Sequence, residues 1–428
     1  MMPMTALLWM PASVGWLLDF VFYYPLFMAY LWMIGGIYFY FHWERSESRG
    51  PEEAPELDEY PFVSILVPCH NEAENVRETI AWAHGQKYPD FEVIAINDGS
   101  TDETGEILEE LQAWYPRLRV IHHAKNQGKA MGLRTGALAS KGEYLVCIDG
   151  DALLAPNATT WIIRHFLSGP RVGAVTGNPR VRTRSTLLGK VQVGEFSSII
   201  GLIKRTQRIY GRVFTMSGVV TGVRKSAIHR AGYWSTDMVT EDIDLSWALQ
   251  RDHWDLRFEP NALCWILMPE TLRGLWKQRL RWAQGGVEVL RKHGPSLLTW
   301  RRRRMWGVVL EHSLSVIWAY LMAATVALWA LGLVAGVPPG LEVRSILPEW
   351  YGVLLGFTCL LQFLVSLTLD SRYEKGLGRY YYWMIWYPIA YWVINMLTTV
   401  VAVPKALLKK KGTRATWVSP DRGVRVPS

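Results

Sequence analysis

Asp149-Gly150-Asp151 sets two carboxylates one residue apart. Mg2+ and Mn2+ take oxygen donors, usually one or two carboxylates together with phosphate oxygens of a substrate. Asp149 and Asp151 are therefore candidate metal ligands, half of a metal–diphosphate site. The turn Asn97-Asp98-Gly99-Ser100 offers a further carboxylate, Asp98, for a base or sugar hydroxyl of the same nucleotide. In Thr240-Glu241-Asp242-Ile243-Asp244, three acids fall within five positions, just ahead of an apolar helical pattern. Acids in that place serve as helix caps or first-turn charges, or one of them takes a proton from a substrate. Lys129 follows Asn126-Gln127-Gly128 at a helix start and is placed to reach a phosphate, although a solvated lysine fits the same pattern.

A second group lies on one helical stretch, 272–292. At 100° per residue Trp276, Leu280, Ala283, Val287 and Leu290 form an apolar stripe, which reads as the underside of a membrane-surface helix. Gln278, Arg281 and Trp282 share a different sector at i, i+3 and i+4. A surface helix does not need that trio. Arg suits a phosphate, and Trp suits the apolar face of a sugar ring.

These residues need elements to position them. The runs 62–68, 91–97, 118–123 and 143–149 read as strands, rich in Val, Ile and Leu, with helical patterns between them. Within one of those helices, 101–115, Ser100 or Thr101 is the expected cap. Strands alternating with helices predict an α/β fold with a mostly parallel, doubly wound sheet. Ligands then bind beyond the carboxyl ends of the strands. The clusters 68–72, 97–100 and 149–151 all fall at such ends. Any one of them alone is an ordinary turn, but three at equivalent ends of one sheet make a site.

The chain has 428 residues and is 50% hydrophobic, and its apolar residues are unevenly spread. Asp19 is the one charged residue before Glu44. Runs 19–42, 307–335, 351–369 and 381–403 are each long enough to span a bilayer, which takes about 20 apolar residues. A weaker run covers 5–18. No Lys or Arg precedes the first run, so it reads as an anchor and not as a cleaved signal. The expected organisation is a membrane segment at 1–44, a soluble catalytic unit at 45–270, interfacial helices at 271–304, a membrane region at 305–404 and a basic tail at 405–428. The four cysteines lie far apart and predict reduced thiols without structural zinc. The net charge of +8 gathers at membrane boundaries: 45–49, 301–304, 372–379 and 405–411. Anionic lipid, and not nucleic acid, is the partner this implies. The positive-inside rule puts these clusters, and the soluble unit, in the cytoplasm. Three full spans after Arg304 would leave the basic tail outside, so one segment is expected to be re-entrant or broken. Pro388 and Asn395 mark the last run for that role.

Asp98, Asp149-Gly-Asp151, Thr240-Glu-Asp242 and Gln278-x-x-Arg281-Trp282, in that order and between membrane spans, resemble the processive inverting family 2 glycosyltransferases of the cellulose, chitin and hyaluronan synthase type. The stretches 173–211 and 262–286 and the tail 417–423 are most similar to the bacterial branch that makes poly-β-1,6-N-acetylglucosamine. The resemblance runs from about residue 20 onward. It implies a Rossmann-like GT-A domain flanked by transmembrane helices, in the bacterial inner membrane. It further implies a UDP-N-acetylglucosamine donor, Mg2+ or Mn2+, and a growing exopolysaccharide of biofilm matrices passed across the bilayer. On this resemblance Asp98 contacts uridine, Asp149 and Asp151 handle metal and diphosphate, and Asp242 is the general base. Gln278, Arg281 and Trp282 bind diphosphate and acceptor. A small membrane subunit and activation by cyclic di-GMP are also implied. Asn97-Asp98 offers a single carboxylate where many relatives have two. The motifs do not separate β-1,6 linkage from the β-1,4 linkage of a chitin- or hyaluronan-type synthase. A single-transfer lipid glycosyltransferase usually lacks the Gln278–Trp282 helix, and a transporter has no use for acids clustered at strand ends.

Overall fold

The computed structural model describes residues 10–337, 343, 350–410 and 412–415. Residues 5–9 of the weak apolar run and residues 417–423 of the tail lie outside them. The chain opens with α1 (Met10–Phe39), which passes into a π-helical turn, Tyr40–Glu44. Strands and helices then alternate: β1 (Val63–Cys69), α2 (Val76–His84), β2 (Phe91–Asp98), α3 (Thr104–Trp114), β3 (Leu118–His123), α4 (Lys129–Ala139) and β4 (Tyr144–Ile148). β1 and β2 are buried along their whole length, which is why they read as nearly unbroken apolar runs. α3 starts later than expected. Asp102 Oδ1, and not Ser100 or Thr101, accepts from the Thr104 amide at 3.1 Å.

The second half comprises β5 (Leu153–Leu154), α5 (Ala158–Leu167), β6 (Val172–Val181), α6 (Leu187–Phe196), α7 (Lys204–Ile209), β7 (Val220–Arg224), α8 (Lys225–Ala231), α9 (Glu241–Arg251) and β8 (Asp255–Ile266). All eight strands form one sheet in the order β3-β2-β1-β4-β7-β6-β8-β5. β3, β2, β1 and β4 are parallel, as the alternation predicts. β7 runs antiparallel to both β4 and β6, and β5 antiparallel to β8, so this half is mixed. One register matters most. Ile148 pairs with Val220. Residues 149–151, leaving β4, therefore emerge beside residues 217–219, entering β7.

α10 (Leu272–Leu297) begins at Thr271, whose Oγ1 accepts from the Gly274 amide at 3.0 Å. It crosses the start of α9 closely. A Cβ on Gly285 would collide with the Thr240 side chain, so only glycine fits there. Asp244 of α9 fixes the crossing by accepting from His293 Nε2 at 2.8 Å and from Lys292 Nζ at 3.0 Å. Protein covers much of the expected apolar stripe. Val287 is buried, and Leu290 packs with Met238, Trp247 and Met305.

α11 (Trp306–Val334), α12 (Trp350–Asp370) and α13 (Tyr387–Leu408) complete the chain. Four stretches are long and apolar enough to cross a membrane: Leu18–Glu44, Trp300–Val334, Gly352–Asp370 and Ala390–Leu408. The last starts later than expected because Leu377–Trp386 winds as 3-10 turns. α13 also follows an unexpected course. Its Tyr391 lies near Arg279 of α10, and twelve residues further along α10 Arg291 Nη1 donates to the carbonyl of Ala406 at 2.9 Å. α13 thus runs beside α10 in the same direction. Just beyond its end, Lys409 Nζ donates to the carbonyl of Asp237 at 2.6 Å and pairs with Glu288 at 3.0 Å. The Ala415 amide donates to the carbonyl of Thr236 at 2.9 Å. The start of the tail thus contacts the soluble unit at Thr236 and Asp237.

Buried charges tie the membrane helices to the sheet. Arg205 pairs with Glu44 at 2.6 Å and Asp370 at 2.8 Å; Arg180 of β6 pairs with Asp370 at 2.7 Å and Glu374 at 2.8 Å. Each guanidinium lies between two carboxylates, the arrangement that limits the cost of burying charge.

Candidate active site

The centre of the site is Lys129, the first residue of α4. Its Nζ pairs with Asp149 Oδ1 at 2.5 Å and Glu241 Oε1 at 3.3 Å, and donates to the Gly218 carbonyl at 3.0 Å. One ammonium thus joins the ends of β4 and α4, the turn before β7 and the start of α9. Burial alone would lower its pKa, but the two carboxylates more than offset this and hold it above the usual lysine range.

Asp242 sits in the first turn of α9. Its Oδ1 accepts from the Ile243 amide at 2.9 Å and its Oδ2 from the Gly218 amide at 3.2 Å. Burial and the neighbouring Glu241 carboxylate push its pKa up to about 6; Lys129 and Arg281 pull the other way. Asp242 and Glu241 line a narrow cavity with Cys147, Gly218 and Trp234. The three acids of this segment have separated. Glu241 turns to Lys129 and Asp242 faces the cavity. Asp244 is buried against α10, where the His293 and Lys292 hydrogen bonds outweigh burial and hold it down at about 2.

Asp151 is buried at the end of β4. Burial, and then the Asp149 and Asp151 charges, push the Cys264 thiol up, so both carboxylates act on one point of β8. Two carboxylates at a strand end are the donor type that Mg2+ or Mn2+ shares with a phosphate, although no cluster of three or more metal-binding side chains occurs among the described residues.

Asp98 is fully buried. Its Oδ1 accepts from the Gln127 amide at 2.9 Å and from His123 Nδ1 at 2.8 Å, and its Oδ2 from the Gly128 amide at 2.8 Å. This carboxylate shapes the 125–128 loop that leads to Lys129. His70 Nδ1 bonds the Asp98 carbonyl at 2.9 Å.

On α10, Arg281 is exposed and Trp282 half-buried. The Gln278 amide oxygen is buried with no hydrogen-bond partner among the described residues. A buried acceptor left unmade costs about 1–3 kcal/mol. Four residues escape sequence reasoning. Arg279 is buried, pairs with Glu195 at 2.5 Å and lies 4.3 Å from the Trp282 ring. Glu195 interrupts an apolar run, and that lone acid is the signal that could have revealed the pair. Lys204 is also buried. Its Nζ donates to Thr176 Oγ1 at 2.9 Å, and the same oxygen accepts from the Ser217 amide at 2.8 Å. Lys204 and Thr176 thereby steady the turn that presents Gly218.

Residues 64–232 match the family model described as glycosyl transferase family 2. A poly-β-1,6-N-acetyl-D-glucosamine synthase of Staphylococcus epidermidis is 40% identical over 407 residues, which cover 95% of this chain and 98% of that one. The chain belongs to glycosyltransferase family 2. A poly-β-1,6-N-acetyl-D-glucosamine synthase of Staphylococcus aureus is likewise 40% identical, over 405 residues. A solved mannosyltransferase of Pyrobaculum calidifontis, in complex with GDP-Man and Mn2+, shares the fold with a TM-score of 0.62 at 20% identity, covering 94% of this chain and all of that one. The sheet is therefore the GT-A type, and in this family 2 glycosyltransferase its strand ends carry the Lys129 cluster.

Proposed function

We propose that this enzyme polymerises N-acetylglucosamine from UDP-N-acetylglucosamine into poly-β-1,6-N-acetylglucosamine by inverting transfer, and passes the chain across the membrane as it grows. The observation that carries the reading is the position of Asp242. It is fixed by the Gly218 and Ile243 amides beside the Lys129–Asp149 pair.

A sugar hydroxyl is a weak nucleophile at neutral pH. Asp242, with its pKa raised to about 6, is ionised there yet basic enough to accept the hydroxyl proton as the new bond forms. Such base catalysis is worth about 10²–10⁴-fold. Attack from the face opposite UDP breaks the anomeric C–O bond and inverts the centre, so an α-linked donor gives a β-linkage. Lys129 and Arg281 meet the negative charge left on UDP. Asp149 and Asp151 would hold Mg2+ or Mn2+, which when bound neutralises diphosphate charge. Asp98 supports the uridine end through the 125–128 loop. Gln278 and Trp282 receive the acceptor, Trp282 through the face of its ring.

The catalytic unit faces the cytoplasm of a bacterial inner membrane. The basic segments at 301–304 and 405–409 support that side, and the tail's contacts with Thr236 and Asp237 are consistent with it. A small membrane subunit and cyclic di-GMP activation complete the proposal, on the resemblance alone. Purified membranes given UDP-N-acetylglucosamine test the reading. UDP release together with a polymer cut by a β-1,6-specific glycosidase is expected. A polymer cut only by chitinase or hyaluronidase would assign the β-1,4 alternative, and no UDP release would remove the function.

A further inference from the structure

Asp242 shares one face of α9 with Ser246 and Gln250, at i, i+4 and i+8, and all three dock on one segment, 213–218, that lies outside the helices and strands. Asp242 Oδ2 accepts from the Gly218 amide at 3.2 Å, Ser246 Oγ from the Met216 amide at 2.8 Å and Gln250 Oε1 from the Val213 amide at 2.8 Å. Gln250 Nε2 donates back to the Val213 carbonyl at 2.7 Å, and Trp247 Nε1 to the Phe214 carbonyl at 3.1 Å. Buried backbone groups must be paired, and here side chains pair them. The base and the segment that holds it therefore form one unit, and something outside α9 must seat that unit.

Among the described residues, two side chains outside α9 reach the amides of this segment, and α7 governs both. Thr176 Oγ1 on β6 accepts from the Ser217 amide at 2.8 Å and from Lys204 Nζ of α7 at 2.9 Å. Gln207, one turn further along α7, accepts from the Phe214 amide through Oε1 at 2.9 Å. Its Nε2 donates to both carboxylate oxygens of Glu311 at 3.2 Å. Gln207 is buried, and both ends of its amide are committed. Glu311 belongs to the membrane span α11 and also accepts from the Tyr210 hydroxyl at 2.6 Å. The next residue, His312, lies 4.8 Å from Phe214, ring to ring. The span thus meets the segment at residue 214 by two routes, four residues ahead of Gly218. Between Lys204 and Gln207, α7 holds other membrane helices: Thr206 Oγ1 donates to the Trp32 carbonyl of α1 at 2.9 Å, and Arg205 pairs with Glu44 and Asp370.

We propose that Gln207 is a positioning residue for the transfer reaction: it fastens the segment that holds Asp242 to Glu311, so that the seating of span α11 sets the place of the base. The inference rests on Asp242 being that base. Gln207 touches no reacting atom and acts through Phe214 and Gly218. Asp149 and Asp151, which follow β4, take no part in this chain of contacts. Loss of the link therefore falls on turnover and not on donor binding.

The test uses the full chain, purified in nanodiscs, and compares it with Gln207→Met, Glu311→Leu, Glu311→Gln and the double variant Gln207→Met/Glu311→Leu. UDP release gives kcat and KM. Each rate is expressed per donor site titrated with UDP-N-acetylglucosamine, so that loss of folded protein does not count as loss of rate. Gln207→Met and Glu311→Leu are each expected to lower kcat by about tenfold with the donor KM unchanged. The double variant should lose no more than either single one, because both cut the same link. Glu311→Gln keeps an acceptor for the Gln207 amide and should recover most of the rate lost in Glu311→Leu. Wild-type kcat in Gln207→Met, a KM that rises as kcat falls, additive losses in the double variant, or no recovery in Glu311→Gln would overturn the proposal. A wild-type chain that releases no UDP, or an Asp242→Asn chain that turns over normally, would instead remove the reading beneath it, and the proposal with it.

Discussion

Gly218 serves two residues at once: its amide donates to Asp242 Oδ2 at 3.2 Å, and its carbonyl accepts from Lys129 Nζ at 3.0 Å. The base and the cation are thus held by the two polar groups of one glycine. A Cβ at this position would lie 2.9 Å from Asp242 Oδ2, tighter than a real contact allows. Gly218→Ala is therefore expected to lower kcat by about 10²-fold through misplacement of the base. The KM for the donor should hardly change. Initial rates of UDP release against donor concentration measure both.

The same cluster sets the pH profile. Burial and Glu241 raise the Asp242 pKa to about 6, and Lys129 restrains that rise. The base acts when ionised, so kcat/KM should fall as the pH drops through about 6. Lys129→Met removes the restraint, and the acidic limb should move to higher pH. An unmoved limb would mean that Lys129 does not act on the base.

Asp244 makes a prediction about stability. Its pKa is held at about 2, below the unfolded value of about 3.9. A carboxylate lowered in this way stabilises the fold above the unfolded value and loses that contribution as pH falls through the folded one. Asp244→Asn should cost roughly 2–3 kcal/mol at neutral pH. The gap to wild type should close between about pH 4 and pH 2. Unfolding in detergent, followed across that range, reads the difference.

Arg279 is expected to act through its neighbour. Its guanidinium neutralises Glu195 and lies 4.3 Å from the Trp282 ring. Arg279→Lys keeps the charge and loses the flat stack, so activity should drop by about tenfold while the fold survives. If Arg279 works by orienting Trp282, the losses in Arg279→Lys and Trp282→Phe will not add in the double variant.

The first four strands were legible because β1, β2 and most of β4 are buried on both faces, β3 is rich in Val and Ile, and all are bounded by turn residues. Their parallel pairing followed from the helices between them, and with it the shared edge that carries Asp98 and the Asp149–Asp151 pair. β7 was not legible. Its place beside β4 depends on a register, Ile148 with Val220, that no local pattern encodes. The Lys129–Glu241 contact is equally hidden, since it joins residues more than a hundred positions apart. Charge placement raised a conflict over the tail; the course of α13 along α10, and the contacts of Arg291 and Lys409 with backbone carbonyls, are long-range features that no local pattern encodes. The burial of Arg279 on α10 depends on Glu195 from α6, a partner that the helical period alone does not reveal.

The identity of the base is the central claim, and Asp242→Asn tests it most directly. Binding of UDP-N-acetylglucosamine and synthesis of polymer should be measured on the same membrane preparation. The amide preserves the side chain's shape and removes its basicity, so donor affinity should stay near wild type while polymer formation falls by at least about 10²-fold. Polymer made at the wild-type rate by this variant would contradict the account.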